Sequence, residues 1–363
     1  SLAAQRGQEE QAEELAESAL EALAGGEAHM SRLQAKLRAN EEWSLLLRLL
    51  GARLGYVTSP YRRGQILSER AAVLTQLERH GDAFDATLEA IAADPGSPLL
   101  HEGMRERAGA LDRLDDYVKH IEGLLGKATK GTHALVRCEL LLRLGEIEEK
   151  DRQAYDAAAK RYDEAEATGV REVDVLRARA RVAGARGDEE EQMRMLEQLA
   201  NLGEDQVESR ADAHYRIAEV QLADPDSLEH GLEALRRALA DHKRPERACN
   251  ILRRACDANP EHQGLLDAYE QVARESDDPR QLLGYLERRT GQDDATVEEV
   301  REAVDLALSL EDDARAEKLM ERAVSIGRES AGGLYSVDWA LLGLARRRKD
   351  EGDVEGAAKW LEE

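Results

Sequence analysis

Large aromatic side chains are nearly missing from this sequence. Its 363 residues include one phenylalanine, Phe84, and aromatic residues make up only 4%. A single compact core is not expected of a chain this long; alanine and leucine supply most of the apolar content, and small residues let helices approach closely. Runs of β-branched residues that would argue for strands are few, while helix propensity is high throughout. No apolar run approaches the roughly 18 residues of a membrane span, so direct insertion into a bilayer is not expected. Cysteine is limited to Cys138, Cys249 and Cys256. The last two stand seven residues apart on one predicted helix, about 10 Å between Cα atoms, beyond the reach of a disulfide. Buried, unpaired thiols and a cytoplasmic, reducing compartment are the expectation; a periplasmic location would require a leader that had been removed. The chain starts at Ser1 without a methionine and stops at Glu363 inside what reads as a helix, which suggests a piece of a longer protein.

Positive charge is also in short supply. Lys and Arg number 51 against 75 Asp and Glu, a formal net charge of −24. Phosphate backbones are bound by clustered cations, so a nucleic-acid partner is not expected, and basic or neutral protein partners are. The local basic runs Lys243-Arg244 and Arg346-Arg347-Arg348-Lys349 read as solvated helix ends. Signatures of catalysis are missing too. The sequence holds no H-E-x-x-H and no G-x-S-x-G, and its nine histidines are scattered. Gly126-Lys127 has the form of a phosphate-loop ending, but Ala128 stands where Ser or Thr is needed and no strand precedes it. The acidic turns Asp224-Pro225-Asp226 and Glu311-Asp312-Asp313 lack calcium-loop spacing and read as helix starts. The expectation is a non-enzyme with no cofactor and no metal site.

What the chain does have is punctuation. A Gly-Asp step recurs at Gly81-Asp82, Gly187-Asp188 and Gly352-Asp353. After it come Ala86, Ala90 and Ala93; Gln192, Leu196 and Leu199; and Ala357 and Leu361, each set on one helical stripe. Each step is expected to end one helix and begin another. Asp94-Pro95, Asp224-Pro225, Asn259-Pro260 and Asp278-Pro279 mark further helix boundaries. Roughly twenty helices of about 12–18 residues follow, or about ten hairpins. A longer spacing overlies this one. Trp43 and Tyr117 are 74 residues apart, as are Ile121 and Met195, whereas Met195 and Tyr285 are 90 apart. The excess points to an insertion, for which the stretch from Asn259 to Glu275 is the candidate.

Several segments resemble the tetratricopeptide repeat, with its W-x-x-L-G first helix, G-D turn and small-large-small second helix. Trp339-Ala-Leu-Leu342-Gly343 followed by Gly352-Asp353 and Ala357 is the fullest match. Leu144-Gly145 with Ala158, Tyr162 and Ala165 is a second, and Ile217-Ala218 with Gly231, Leu235 and Ala238 a third. Ala316, Met320 and Ala323 form another second-helix stripe, and Leu45, Leu49 and Ala52 a weaker one. The style is similar to long arrays from some high-GC bacteria. The resemblance implies an all-α fold, a right-handed α-solenoid of antiparallel helix hairpins, over residues 41–363 and continuing beyond them. Residues 1–40, with helices expected over Gln8–Ala24 and Glu27–Arg38, would form an N-terminal cap or worn repeat. It implies a protein-interaction scaffold whose first helices line a groove for a partner's peptide or helix. The alternative is a regulatory or targeting module of a larger enzyme or machine with its catalytic part elsewhere. The inward positions of the family pattern fall on Glu139 and Glu146, on Asp212, Tyr215 and Glu219, and on Arg347 and Arg348. The plainer reading of each is a solvated face.

Overall fold

The computed structural model describes residues 27–128, 133–329 and 336–362, which are helical with short linkers and contain no strand. The first helices are α1 (Glu27–Ala39), α2 (Trp43–Leu54), α3 (Pro60–Gln76) and α4 (His80–Ala93). Next come the short α5 (Pro98–His101) and α6 (Met104–Ala110), then α7 (Leu114–Lys127), α8 (Ala134–Lys150) and α9 (Tyr155–Glu166). They are followed by α10 (Glu172–Arg186), α11 (Glu189–Ala200), α12 (Val207–Gln221), α13 (Leu228–Asp241) and α14 (Pro245–Ala258). The last are α15 (Gln263–Arg274), α16 (Pro279–Thr290), α17 (Val297–Ser309), α18 (Asp313–Glu329), α19 (Asp338–Asp350) and α20 (Val354–Glu362). The helix expected over Gln8–Ala24 lies outside the described residues; the one expected over Glu27–Arg38 is α1.

The turns have one recurring geometry. The residue closing a helix takes left-handed φ, and the next amide donates to a carbonyl five residues back. Asp188 N–H reaches Ala183 O at 2.9 Å and Asp353 N–H reaches Arg348 O at 2.8 Å, with Gly187 at φ 71° and Gly352 at φ 84°. At the first Gly-Asp step the expectation fails in detail. Gly81 lies inside α4, and the left-handed residue is Glu78 at φ 58°, with Arg79 N–H on Leu74 O at 2.9 Å. Asp112 and Glu311 do the same before Arg113 and Asp312. The paired hydrogen bonds therefore hold a conformation that costs a non-glycine residue roughly 1 kcal/mol or more. Proline opens α3, α5, α14 and α16, where its missing N–H is not needed.

The helices pair as antiparallel hairpins. α3 packs on α4, α8 on α9, α12 on α13, α17 on α18 and α19 on α20, each joined by a short linker and so antiparallel. The predicted small-large-small stripes are enclosed. Ala158, Tyr162 and Ala165 are buried, as are Leu235 and Ala238, and Ala316, Met320 and Ala323. The small residue of the first helix makes this possible. A Cβ on Gly145 would stand 2.8 Å from Cδ1 and Cζ of Tyr162, and one on Gly343 would stand 2.6 Å from Met320 Sδ. The last stripe is only half as expected: Ala357 is buried but Leu361 is 62% exposed, and Leu342 before Gly343 is 47% exposed.

Two compact units divide the chain, one up to Met195 and one from Leu196. In the first, apolar clusters succeed one another along the helices. Met30, Leu46, Leu49, Leu50 and Ile66 join α1 to α2 and α3; Phe84, Ile91, Met104, Tyr117, Ile121 and Leu140 join α4 through α8. Cys138 with Val175, and Tyr162 with Val182, carry the core to α10. In the second unit, Tyr269 of α15 and Tyr285 of α16 meet edge to face at 5.6 Å. Cys138, Cys249 and Cys256 are buried and unpaired, and burial raises the last two thiols to about 11.

The long spacing also has a structural meaning. Between α7, which holds Ile121, and α11, which holds Met195, stand three helices. Between α11 and α16, which holds Tyr285, stand four. The insertion is one whole helix, and the Asn259–Glu275 stretch contains α15.

Candidate functional site

Three first helices carry the residues placed by the family pattern. On α8, Glu139 is 1% exposed and accepts from Arg143 Nε at 2.7 Å and from Arg171, which precedes α10. Burial leaves its carboxylate no surface for a partner; it fastens α8 to the turn before α10. Glu146, two turns further along the same face, is half-buried and accepts from Lys150 Nζ at 2.6 Å and Arg143 at 3.2 Å. Burial would raise its carboxyl, but the Lys150 hydrogen bond and the charges of Lys150, Arg143 and Arg105 hold it below the usual range. Glu146 lies on the wall of a cavity of about 190 Å³ lined also by His101, Arg105, Tyr117, Arg143 and Lys150.

The floor of that cavity is a locked pair. His101 Nε2 lies 3.1 Å from the carbonyl oxygen of Pro95, which can only accept, so Nε2 carries the proton. Nδ1 is then the acceptor for the Tyr117 hydroxyl at 2.9 Å. His101 is 2% exposed, and desolvation lowers it to about 4 against the favourable Pro95 hydrogen bond; Arg143 and His120 push the same way. Both ring nitrogens are satisfied, which makes the pair a structural element joining α5 to α7.

On α12 the structure brings Asp212, Tyr215 and Glu219 together, and joins them to α14. Tyr215 is buried; its hydroxyl donates to the His242 carbonyl and accepts from the Arg244 amide, both at 3.0 Å. Above it the Arg247 guanidinium lies 4.7 Å from the ring centroid. Asp212 accepts from Arg244 at 2.6 Å and from Arg247 at 3.0 Å, and Glu219 accepts from Arg247 and from Arg216 at 2.7 Å. The two carboxylates stay half-exposed, so the set presents charge to solvent while resting on a packed tyrosine. On α19, Arg348 donates to Glu317 at 2.7 Å and Arg347 pairs with Asp313, both on α18.

These pairs share a signal that motif reading passed over. Arg171–Glu139, Arg181–Glu149, Arg210–Asp241, Arg244–Asp212, Arg247–Asp212, Arg347–Asp313 and Arg348–Glu317 all join residues 31 to 35 apart. That separation is about one repeat. A charged residue placed one period from its opposite is thus a mark of repeat-to-repeat fastening. The pattern also left out α17, whose solvent-facing stripe borders an open groove lined by Leu282, Glu298, Arg301, Glu302, Asp305 and Leu306.

No protein-family model matches the chain, and no curated protein matches it either. Among solved structures, it is similar to a tetratricopeptide repeat protein from Parabacteroides merdae. That match covers 72% of this chain and 97% of the other, with 12% identity and a TM-score of 0.39. It is also similar to the Naa15/Naa10 structure bound to HypK-THB, over 93% of this chain and 57% of that one, at 14% identity and a TM-score of 0.32. Yeast Tom70 matches over 92% of this chain and 74% of its own, at 12% identity and a TM-score of 0.23.

Proposed function

We propose that this chain is a non-catalytic scaffold that holds protein segments against the solvent-facing stripes of its first helices. The observation that carries the reading is the Asp212–Arg247–Glu219 set. Half-exposed carboxylates of α12 are held in fixed positions by arginines of the next helices over a buried tyrosine. Charges fixed in advance lose little freedom on binding and select a partner by complementarity. The net charge of −24 favours a basic or amphipathic partner segment. Glu146, Arg347 and Arg348 belong to the same class of half-exposed, pre-placed charges, whereas Glu139 and Tyr215 hold helices in place. Unpaired, buried cysteines fit a reducing compartment such as the cytoplasm. The same surface would serve a targeting module attached to a larger enzyme or machine.

The test is a pull-down with mass spectrometry, using the chain and its Asp212→Asn/Glu219→Gln variant as baits. A partner retained by the first and reduced by the second, with unchanged circular dichroism, supports the reading. Equal recovery of every partner would move the binding surface away from α12.

A further inference from the structure

Resting on the scaffold reading, a second surface has its own chemistry. We infer that the groove along α17 docks a partner segment that presents an apolar side chain flanked by two basic ones about 10 Å apart.

α17 is sharply two-faced. Val300, Ala303, Val304 and Ala307 repeat at i, i+3, i+4 and i+7 and are all buried. The opposite stripe, Glu298, Arg301, Glu302, Asp305, Leu306 and Ser309, faces a groove of about 560 Å³ completed by Leu282 of α16. Its charges are not equivalent. Arg274 of α15 grips Glu302 through both guanidinium nitrogens, at 2.7 and 3.2 Å. Arg301 lies over the Trp339 ring of α19, 5.5 Å from its centroid. Glu298 and Asp305 have no hydrogen-bonding or ionic partner among the described residues. Helix-end electrostatics account for Glu298 in the first turn, but Asp305 is mid-helix and has no such reason.

Two unpaired carboxylates seven residues apart on one helix stand about 10 Å from each other. Leu282 and Leu306, both half-exposed, supply the apolar part of the lining. The groove is open along one helix face and not a closed pocket, which suits a chain segment better than a small molecule. An amphipathic helix with basic residues at i and i+7 matches the carboxylate spacing, because those two positions lie on one helix face about 10 Å apart. Charge complementarity favours the basic occupant over an acidic or neutral one.

The experiment uses the full chain and a fluorescein-labelled amphipathic peptide of leucine and lysine, read by anisotropy at physiological salt. Companion peptides replace lysine by glutamate, or leucine by serine. The leucine–lysine peptide should bind about tenfold more tightly than either companion. Glu298→Gln/Asp305→Asn should lower its affinity about tenfold. Asp226→Asn/Glu229→Gln, which neutralises two exposed acids at the start of α13, should change it about twofold or less. Equal loss in both variants would mean bulk attraction to an acidic protein and overturn the groove. So would wild-type affinity in the α17 variant, or equal binding of the three peptides. The α12 pull-down uses other residues and another readout, so failure here leaves the scaffold reading standing or falling on its own result.

Discussion

Around Gly145 the chain closes its helix crossing with polar groups that are themselves buried; around Gly343 it closes the same crossing with a thioether. At the first site the Tyr162 ring lies against Gly145 and its hydroxyl donates to Glu149 at 2.9 Å, while Arg181 grips the same carboxylate from α10. Glu139, one turn and a half earlier on α8, is likewise enclosed between Arg143 and Arg171. At the second site Met320 meets Gly343 with a flexible, apolar end, and the ion pairs nearby are only partly buried. Buried polar groups with several partners have one workable arrangement, whereas a methionine has many. The first region is therefore held in one arrangement, and the second can shift at its crossing.

Substitution of the two glycines should separate the regions most strongly. Gly145→Ala forces a Cβ onto a ring pinned by its hydroxyl, and about 3 kcal/mol of destabilisation is expected. Gly343→Ala meets the mobile end of Met320, and the gain in helix propensity offsets the crowding to within about 1 kcal/mol. Thermal melting followed by circular dichroism reads both, and similar shifts for the two variants would erase the contrast.

Acid should act on the first region next. Native His101 stays neutral down to about 4, whereas the unfolded chain takes up its proton near 6.5. Between those values the unfolded state binds more protons, so stability rises with pH. The contribution, on the order of 2–3 kcal/mol, is whole above about pH 6.5 and is lost progressively as pH falls towards 4. Desolvation lowers His120 as well and adds to the same trend. His101→Gln should melt lower at neutral pH but with a shallower dependence between pH 6.5 and 4. An unchanged slope would show that His101 is not the titrating group.

Carboxylate neutralisation gives the smallest contrast. Glu149→Gln weakens a buried acceptor shared by Tyr162 and the half-exposed Arg181, for an expected cost of about 1–2 kcal/mol. Glu302→Gln weakens a solvent-exposed pair with Arg274, worth about 0.5 kcal/mol or less. Urea midpoints of the two variants check the order, and a larger loss from Glu302→Gln would reverse it.

Much of the architecture was legible before any coordinates. Helix boundaries at Asp94, Asn259 and Asp278 follow from proline's effect on the residue before it, and the buried stripe Ala158–Tyr162–Ala165 from the resemblance to the repeat pattern. Gly81 misled because a glycine is permitted in a left-handed turn without being required there, and the hydrogen bonds around Glu78 supply what its backbone lacks. The site was harder to read. Asp212, Tyr215 and Glu219 do share one face of α12, but the pattern could not tell that Tyr215 is enclosed or that Glu139 is.

Helix, break and close approach are local or periodic properties: propensity, capping and small residues at i, i+4 and i+7 settle them within some forty residues. Which carboxylates are buried, paired or free is not local. Glu139 and Asp305 are both acids on the exposed-looking side of a helix, and their fates differ because Arg171 comes back within reach of one while no described cation reaches the other. That return depends on how one helix pair lies against the next, and it is the stacking of the pairs, through arginines 31 to 35 residues away, that assigns each charge to the core or to the surface.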